Sequence, residues 1–278
     1  MTWRSFAFPA QPCWGTVHAA FDSGAPSGAI AGRQIVDTIY EGTRRTLEFA
    51  RECRTERLLF VSSGAVYGRQ PPELSHLPES YVGGPTIDLQ RPPVRLTAKL
   101  KDWPRSWCST QLGESELQAS IARCFAFVGP HLPLDGSFAV GNFFADLLAG
   151  RPLKLSGDGT PWRSYLYAAD LAEWLWTMLL AAPNGTVLNV GSEEALQIGD
   201  AEHRIAALES PSRKVHVARQ PDPTKLAERY VPNCRRAAEL LDLRARIPFD
   251  EGAPQDVGLV SALGQWAARL RLDVPRAM

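Results

Sequence analysis

The hydrophobic pattern of the chain alternates between short apolar runs and longer segments with helical spacing. Residues 58–61 form an unbroken apolar run, which suits a strand buried on both faces of a parallel sheet. Residues 34–53 instead carry apolar side chains at the spacing of an amphipathic helix. A strand at 14–21, this helix and the strand at 58 would form a right-handed crossover, which indicates a doubly wound α/β fold.

The second half of the chain continues this alternation. The pattern predicts strands at 120–128 and 186–190, and helices at 138–149 and at about 198–208, 233–241 and 256–270. The turn residues at 156–159 predict a hairpin-like excursion between 153–155 and 164–168. Asp170 follows, where a carboxylate can accept the free N–H groups of a starting helix. We expect Trp174 and Trp176 of that helix to pack in the core or at a dimer contact.

Composition narrows the class of protein. The chain has 278 residues, enough for a sizeable core, and its Lys+Arg and Asp+Glu counts are both 30, so no basic surplus indicates nucleic acid or an anionic membrane as a partner. The five cysteines form no close pair and the five histidines lack metal-ligand spacing, so we predict free thiols and no metal. No apolar run reaches membrane-spanning length, and no signal peptide opens the chain, so we expect a cytoplasmic protein.

The apolar run at 58–61 is followed by Ser62, Ser63 and Gly64. Ligands of parallel sheets bind beyond the carboxyl ends of the strands, so Ser63 is expected at a site, although its spacing also fits a plain Ser/Gly turn. Residues 62–68 resemble the Ser-Ser-x-x-Val-Tyr-Gly signature of the NAD-dependent epimerase/dehydratase family, extended short-chain dehydrogenases that act on nucleotide sugars. The resemblance implies a Rossmann-like doubly wound parallel sheet with a smaller C-terminal substrate-binding lobe. It also implies that Ser63 is the catalytic hydroxyl.

Other stretches extend the resemblance toward a cofactor. The sequence His18-Ala19-Ala20 is similar to the strand end whose backbone passes beside the dinucleotide in that family. The resemblance therefore implies that His18, Ala19, Ala20 and Ser62 bind NAD or NADP. Ile39 stands where the family has a cofactor-contacting asparagine, so that contact is not expected here.

Two further positions match those that meet the substrate diphosphate in the family. They are Asn142, and Arg163, which follows the Gly-Asp-Gly turn at 157–159. A guanidinium suits this role because it grips a phosphate with two parallel donors. Asn189 resembles a strand residue of the family whose role is structural.

Two parts of the family pattern are missing. The chain begins near the third or fourth strand of that pattern, so we expect its first strands to be absent, and Gly24, Gly28 and Gly32 have the wrong spacing for a phosphate loop. No Tyr-x-x-x-Lys pair follows Ser63, since Tyr81 is followed by Pro85 where the lysine belongs.

One hypothesis for the missing pair is a local frameshift around residues 90–118. If the codons of this segment are read two bases out of frame, the genetic code allows an encoded sequence with a Tyr-x-x-x-Lys pair. Its tyrosine would span the codons of Leu96 and Thr97, and its lysine those of Leu100 and Lys101. Sequencing the DNA decides this hypothesis.

The resemblance divides the chain into 1–130, a partial dinucleotide-binding domain, and 131–278, mainly a substrate-binding lobe. Gly64 and Ala65 stand where dehydratases carry an acid and a base, so epimerisation or reduction of a 4-keto sugar is expected instead. The resemblance also implies that the protein is a homodimer. It further implies that the product is used in a bacterial surface polysaccharide or a secreted signal such as a nodulation factor. Two alternatives stay open: a non-catalytic, truncated sugar-nucleotide-binding module, and a regulator that senses NADP.

Overall fold

The computed structural model describes residues 7–19, 29–84, 117–130, 132, 134, 138–209, 211–255 and 258, with 29–38 described by their backbone. The helices are α1 (Ala29–Glu52), α2 (Ala139–Leu148), α3 (Ala168–Ala181), α4 (Ile198–Ala206) and α5 (Arg235–Leu241), and a 3₁₀ helix covers Gly64–Tyr67. The strands are β1 (Gly15–His18), β2 (Arg57–Ser63), β3 (Gln118–Cys124), β4 (Ala126–Val128), β5 (Leu153–Leu155), β6 (Trp162–Arg163), β7 (Tyr165–Tyr167), β8 (Val187–Val190), β9 (Leu196–Gln197), β10 (Val215–Val217) and β11 (Arg229–Tyr230).

The central sheet has four parallel strands in the order β1-β2-β3-β8. Leu58 packs in a cluster with Leu47 of α1, whereas Leu59 packs with Trp174 of α3. Because neighbouring residues of a strand face opposite sides, helices cover both faces of this sheet. The apolar run at 58–61 is therefore a strand between two helical layers, as predicted.

Three smaller sheets build the rest of the molecule. Strand β5 pairs in parallel with β10, β7 pairs in parallel with β4, and β6 lies between β11 and β9. The predicted hairpin is wrong, because β5 and β7 pair with distant strands and not with each other. The turn explains this: the Gly159 carbonyl accepts a 3.0 Å hydrogen bond from Gly199 N–H at the start of α4, which holds the turn against that helix.

The helix predicted after the hairpin is α3, which differs from expectation at Asp170, while a dimer contact of Trp176 stays a prediction. Tyr167 is its N-cap residue, while Asp170 is 3% exposed and accepts hydrogen bonds from the N–H groups of Arg246 and Ile247, at 2.9 and 3.0 Å. Asp170 therefore ties a distant loop to the helix and does not cap it. Of the two tryptophans, Trp174 lies in the core as expected, but Trp176 is 61% exposed.

The predicted strand at 120–128 is two strands, β3 and β4, interrupted at Phe125. Strand β3 belongs to the central sheet and β4 to the sheet with β7. The division of the chain at residue 130 stays a prediction. Two elements after residue 130 belong to the first part of the molecule, because β8 pairs with β3 in the central sheet and α3 packs against that sheet. Each helix in the described part of the chain is too short or too polar to cross a membrane.

Candidate functional site

Ser63 ends β2 at the carboxyl edge of the central sheet. Its backbone is extended, and its hydroxyl oxygen accepts a 3.2 Å hydrogen bond from Ala65 N–H, which caps the 3₁₀ helix that follows. Ser63 is partly exposed, whereas Ser62 is buried at 2% exposure. Strand alternation therefore brings one of the two predicted hydroxyls toward the surface and turns the other inward.

A second hydroxyl, that of Tyr230, meets Ser63. The Tyr230 side chain reaches the side chain of Ser63, and the Tyr230 ring packs 4.6 Å from the ring of Phe125, centroid to centroid. A Cβ added at Gly64 would lie 2.7 Å from the Tyr230 hydroxyl oxygen and 2.7 Å from the Phe125 ring. Position 64 therefore has to be glycine for Tyr230 to reach Ser63.

Arg163 lies beside this pair of hydroxyls. In the pairing of β6 with β11, Arg163 is the register partner of Tyr230, and its Nη1 donates a 2.8 Å hydrogen bond to the Trp162 carbonyl. Burial raises the pKa of Tyr230, and the positive charge of Arg163 acts in the opposite direction. Strand pairing thus places Arg163 beside Tyr230.

The tyrosine of the signature has a different place. The Tyr67 hydroxyl donates a 2.7 Å hydrogen bond to Asn189 Oδ1 and accepts one of 3.1 Å from Arg123 Nη1. Tyr67, Arg123 and Asn189 are all buried. This network fixes the 3₁₀ helix after Ser63, in agreement with the structural role expected for Asn189.

The predicted cofactor residues His18 and Ala19 lie at the end of β1, and their contact with a nicotinamide stays a prediction. Strand β1 stops at His18, opposite Phe60, while β2 continues for three more residues to Ser63. The His18 ring lies 3.4 Å from the hydroxyls of Thr43 and Thr46 of α1, and Ala19 is exposed. The His18 side chain is thus held on the helix side, which leaves the backbone of 18 and 19 to border the step between the two strands.

The roles of the other predicted site residues stay predictions, or the residues lie outside the described part of the chain. Asn142 is half-buried in the first turn of α2, and its role toward a diphosphate stays a prediction, as does a cofactor role for the buried Ser62. Ala20, Gly24, Gly28, and the segment in which a Tyr-x-x-x-Lys pair or a frameshift was expected up to residue 116, lie outside the described residues.

Sequence reasoning missed Tyr230. It lies in a two-residue strand, and no periodicity or motif marks it. Gly64 is the available signal, since a glycine directly after a candidate catalytic residue can indicate the close approach of another group.

Comparisons with known proteins identify the family and the fold of the chain. A model of the "NAD dependent epimerase/dehydratase family" matches residues 6–191. A UDP-N-acetyl-alpha-D-glucosaminuronate decarboxylase of Bacillus cytotoxicus is 28% identical over 226 residues, which cover 72% of this chain and 66% of the relative. The UDP-glucuronic acid decarboxylase 3 of Arabidopsis thaliana is 26% identical over 84% of this chain and 64% of its own length. The aligned region thus spans less than two thirds of these relatives.

Solved structures of related fold include a Thermotoga maritima UDP-glucose 4-epimerase with UDP-glucose, with a TM-score of 0.76, 17% identity, and coverage of 90% of this chain and 78% of that one. The RMD protein of Pseudomonas aeruginosa with NADPH has a TM-score of 0.73, 19% identity, and coverage of 92% and 82%. These similarities confirm the Rossmann-like fold, and the family description agrees with a nicotinamide dinucleotide as cofactor. Since the family model covers most of the sequence, the chain belongs to the NAD-dependent epimerase/dehydratase family.

Proposed function

We propose that this chain exchanges a hydride at C4 of a nucleotide sugar, as an NAD(P)-dependent epimerase or 4-keto-sugar reductase. The observation that carries the proposal is the partly exposed Ser63 at the carboxyl edge of the parallel sheet, beside Tyr230, whose strand partner is Arg163. Ligands of such sheets bind at this edge, and a hydroxyl beside a cation suits a sugar linked to a diphosphate.

Each residue has a part that its chemistry allows. Ser63 donates a hydrogen bond to the oxygen at C4 of the sugar, and the proton that leaves this oxygen on oxidation passes to water. Arg163 neutralises and orients the diphosphate by bidentate hydrogen bonds. When bound, the dinucleotide accepts and returns the hydride. The backbone at His18 and Ala19 borders the nicotinamide, and Asn142 is the second candidate for contact with the diphosphate.

Packing at Gly64 argues against dehydration. Removal of water from the sugar needs an acid and a base, and the two positions after Ser63 hold Gly64 and Ala65. A side chain at 64 would collide with Tyr230 and Phe125, so this site has no room for a carboxylate there. Epimerisation and 4-keto reduction fit these residues better than dehydration, because they need hydride transfer and a hydroxyl group but no carboxylate at position 64.

Decarboxylation is the second candidate, since curated relatives are named as decarboxylases of UDP-linked uronic acids. Oxidation at C4 of a uronic acid creates a β-keto acid, which can release carbon dioxide from C6. The first step is therefore shared with epimerisation, and the product distinguishes the two reactions. A UDP-uronic acid that loses carbon dioxide would favour the decarboxylase, and one inverted at C4 the epimerase.

Binding measurements test the proposal. Calorimetric titration with NAD(H) and NADP(H), and with UDP-, GDP-, CDP- and dTDP-sugars, should show binding of one dinucleotide and one sugar-nucleotide class. Arg163→Ala should weaken sugar-nucleotide binding by about 10-fold or more, since a charge-assisted pair is lost. Arg151→Ala is the matched control, because Arg151 pairs with Asp146 at the surface.

Two other outcomes would redirect the proposal. Sugar-nucleotide binding without dinucleotide binding would indicate a non-catalytic module, and dinucleotide binding alone would indicate a regulator. A homodimer, and a product destined for a surface polysaccharide or a secreted signal such as a nodulation factor, belong to the proposal on family resemblance alone.

A further inference from the structure

Tyr230 reaches the catalytic edge from a distant part of the chain, and two independent contacts fix its position. Its backbone pairs with that of Arg163 in the sheet of β6, β9 and β11. Its ring packs on Phe125, which lies between β3 and β4. Because one contact fixes the backbone and the other the ring, the phenol cannot leave Ser63 without disturbing both.

The phenol is in its neutral form at ordinary pH. A tyrosine hydroxyl loses its proton near pH 10 in water, and burial raises the pKa of Tyr230 above that value. A neutral phenol retains its O–H and can donate a hydrogen bond, while a base at this position would need the phenolate. Tyr230 is therefore suited to hold another group and not to abstract a proton.

The hydrogen bonds of Ser63 can then be counted. A serine hydroxyl has two acceptor lone pairs and one hydrogen to donate. Ala65 N–H donates to the Ser63 oxygen at 3.2 Å, and the Tyr230 O–H can supply the second donor. If Tyr230 donates in this way, both lone pairs are occupied and the Ser63 hydrogen points to a third partner, on the partly exposed side of the residue.

We infer that Tyr230 is a positioning residue, whose phenol fixes the Ser63 hydroxyl so that its hydrogen points toward the sugar oxygen. This inference rests on the proposed function. It also deepens it, since Ser63 then meets the substrate as a hydrogen-bond donor held by two fixed groups. Gly64 contributes to the same arrangement, because the absence of a side chain at this position leaves room for the Tyr230 phenol.

Two measurements on the full chain test the inference. For Tyr230→Phe, we expect kcat for the nucleotide sugar to fall about 10-fold, while KM stays within about twofold, because the lost hydrogen bond orients the reacting hydroxyl and does not bind the substrate. Tyr165→Phe is the control, since Tyr165 is a buried tyrosine of the lobe core, packed against Phe249. Thermal unfolding of both variants checks that they fold. An unchanged kcat in a folded Tyr230→Phe protein would overturn the inference.

Fluorine NMR separates this inference from the proposed function. In protein labelled with 3-fluorotyrosine, the resonance assigned to Tyr230 by its loss in Tyr230→Phe should shift in Ser63→Ala, whereas the Tyr165 resonance should not. If the chemical shift of Tyr230 is the same in Ser63→Ala as in the wild type, the inference is overturned even if the enzyme is active. A resonance that shifts in a protein without turnover of any nucleotide sugar would contradict the proposed function and leave the contact standing.

Discussion

The Tyr67 hydroxyl and the Asn189 side-chain amide are joined by a 2.7 Å hydrogen bond in the interior of the protein. The same amide donates to the carbonyl oxygens of Leu77 and Asn233, at 2.8 and 3.1 Å. Asn189 thus connects the 3₁₀ helix after Ser63, the loop at 77 and the segment before α5. The signature tyrosine is part of the frame that supports the catalytic edge, and Ser63 lies at that edge.

We predict that Asn189→Ala lowers the free energy of unfolding by about 2–4 kcal/mol. The physical reason is that the Leu77 carbonyl and the Tyr67 hydroxyl stay buried and each lose one of their two hydrogen bonds. Urea denaturation measures the effect. Asn184→Ala is the control: Asn184 is exposed and accepts one hydrogen bond, from Ala119 N–H. Its cost should stay under about 1 kcal/mol, and equal losses in the two variants would contradict the role of Asn189.

Gly64→Ala should destabilise the protein by about 1–3 kcal/mol, the usual cost of overpacking. The new methyl group would force Tyr230 and Phe125 apart, so turnover should fall together with stability. Gly42→Ala is the opposite case, since no atom lies within 4 Å of a Cβ at that helical position. It should stabilise the protein by up to about 1 kcal/mol through helix propensity. Equal responses at 64 and 42 in thermal unfolding would disprove the packing argument.

Glu202 of α4 gives the protein a pH-dependent stability. The side chain is fully buried, and within the described structure neither carboxylate oxygen has a hydrogen-bond partner. Burial raises the pKa of Glu202 to about 7; the charge of Asp146 acts in the same direction and His203 opposes it. In the unfolded chain the same group ionises near 4.5.

The sign of the effect follows from these two values. The folded state keeps the proton to higher pH than the unfolded state, so stability falls as pH rises from about 4.5 to 7 and is flat above. At about 1.4 kcal/mol per pKa unit, the full loss is about 3 kcal/mol. Glu202→Gln removes the charge, so it should be more stable than the wild type at pH 8 and lack this loss between pH 5 and 8. Parallel pH profiles of unfolding in urea would contradict this account.

Local patterns predicted the parts of the fold that depend on neighbouring residues. The apolar run at 58–61 predicted β2 because a strand between two helical layers has to be apolar on both faces. The periodicity at 34–53 likewise predicted most of α1. Ser63 could be identified because its motif and its place at the strand end are adjacent in sequence.

Contacts between distant residues could not be predicted in this way. Tyr230 reaches Ser63 through a two-residue strand, and Asp170 accepts N–H groups from a loop far along the chain. Turn residues at 156–159 indicated a reversal but could not indicate that β5 and β7 pair elsewhere. The frameshift stays a prediction, since residues 85–116 lie outside the described residues.

The most direct test of the proposed chemistry follows the hydrogen at C4 of the sugar. Purified protein with NAD is given UDP-sugars, including a UDP-uronic acid, that carry deuterium at C4, and mass spectrometry follows the label in sugar and dinucleotide. The account predicts that the label reaches the dinucleotide in the wild type. In Ser63→Ala the transfer should be slower by about 100-fold or more, because a hydrogen bond to the reacting oxygen is lost. Transfer that is unchanged by Ser63→Ala, or a protein that binds both molecules and never moves the label, would contradict it.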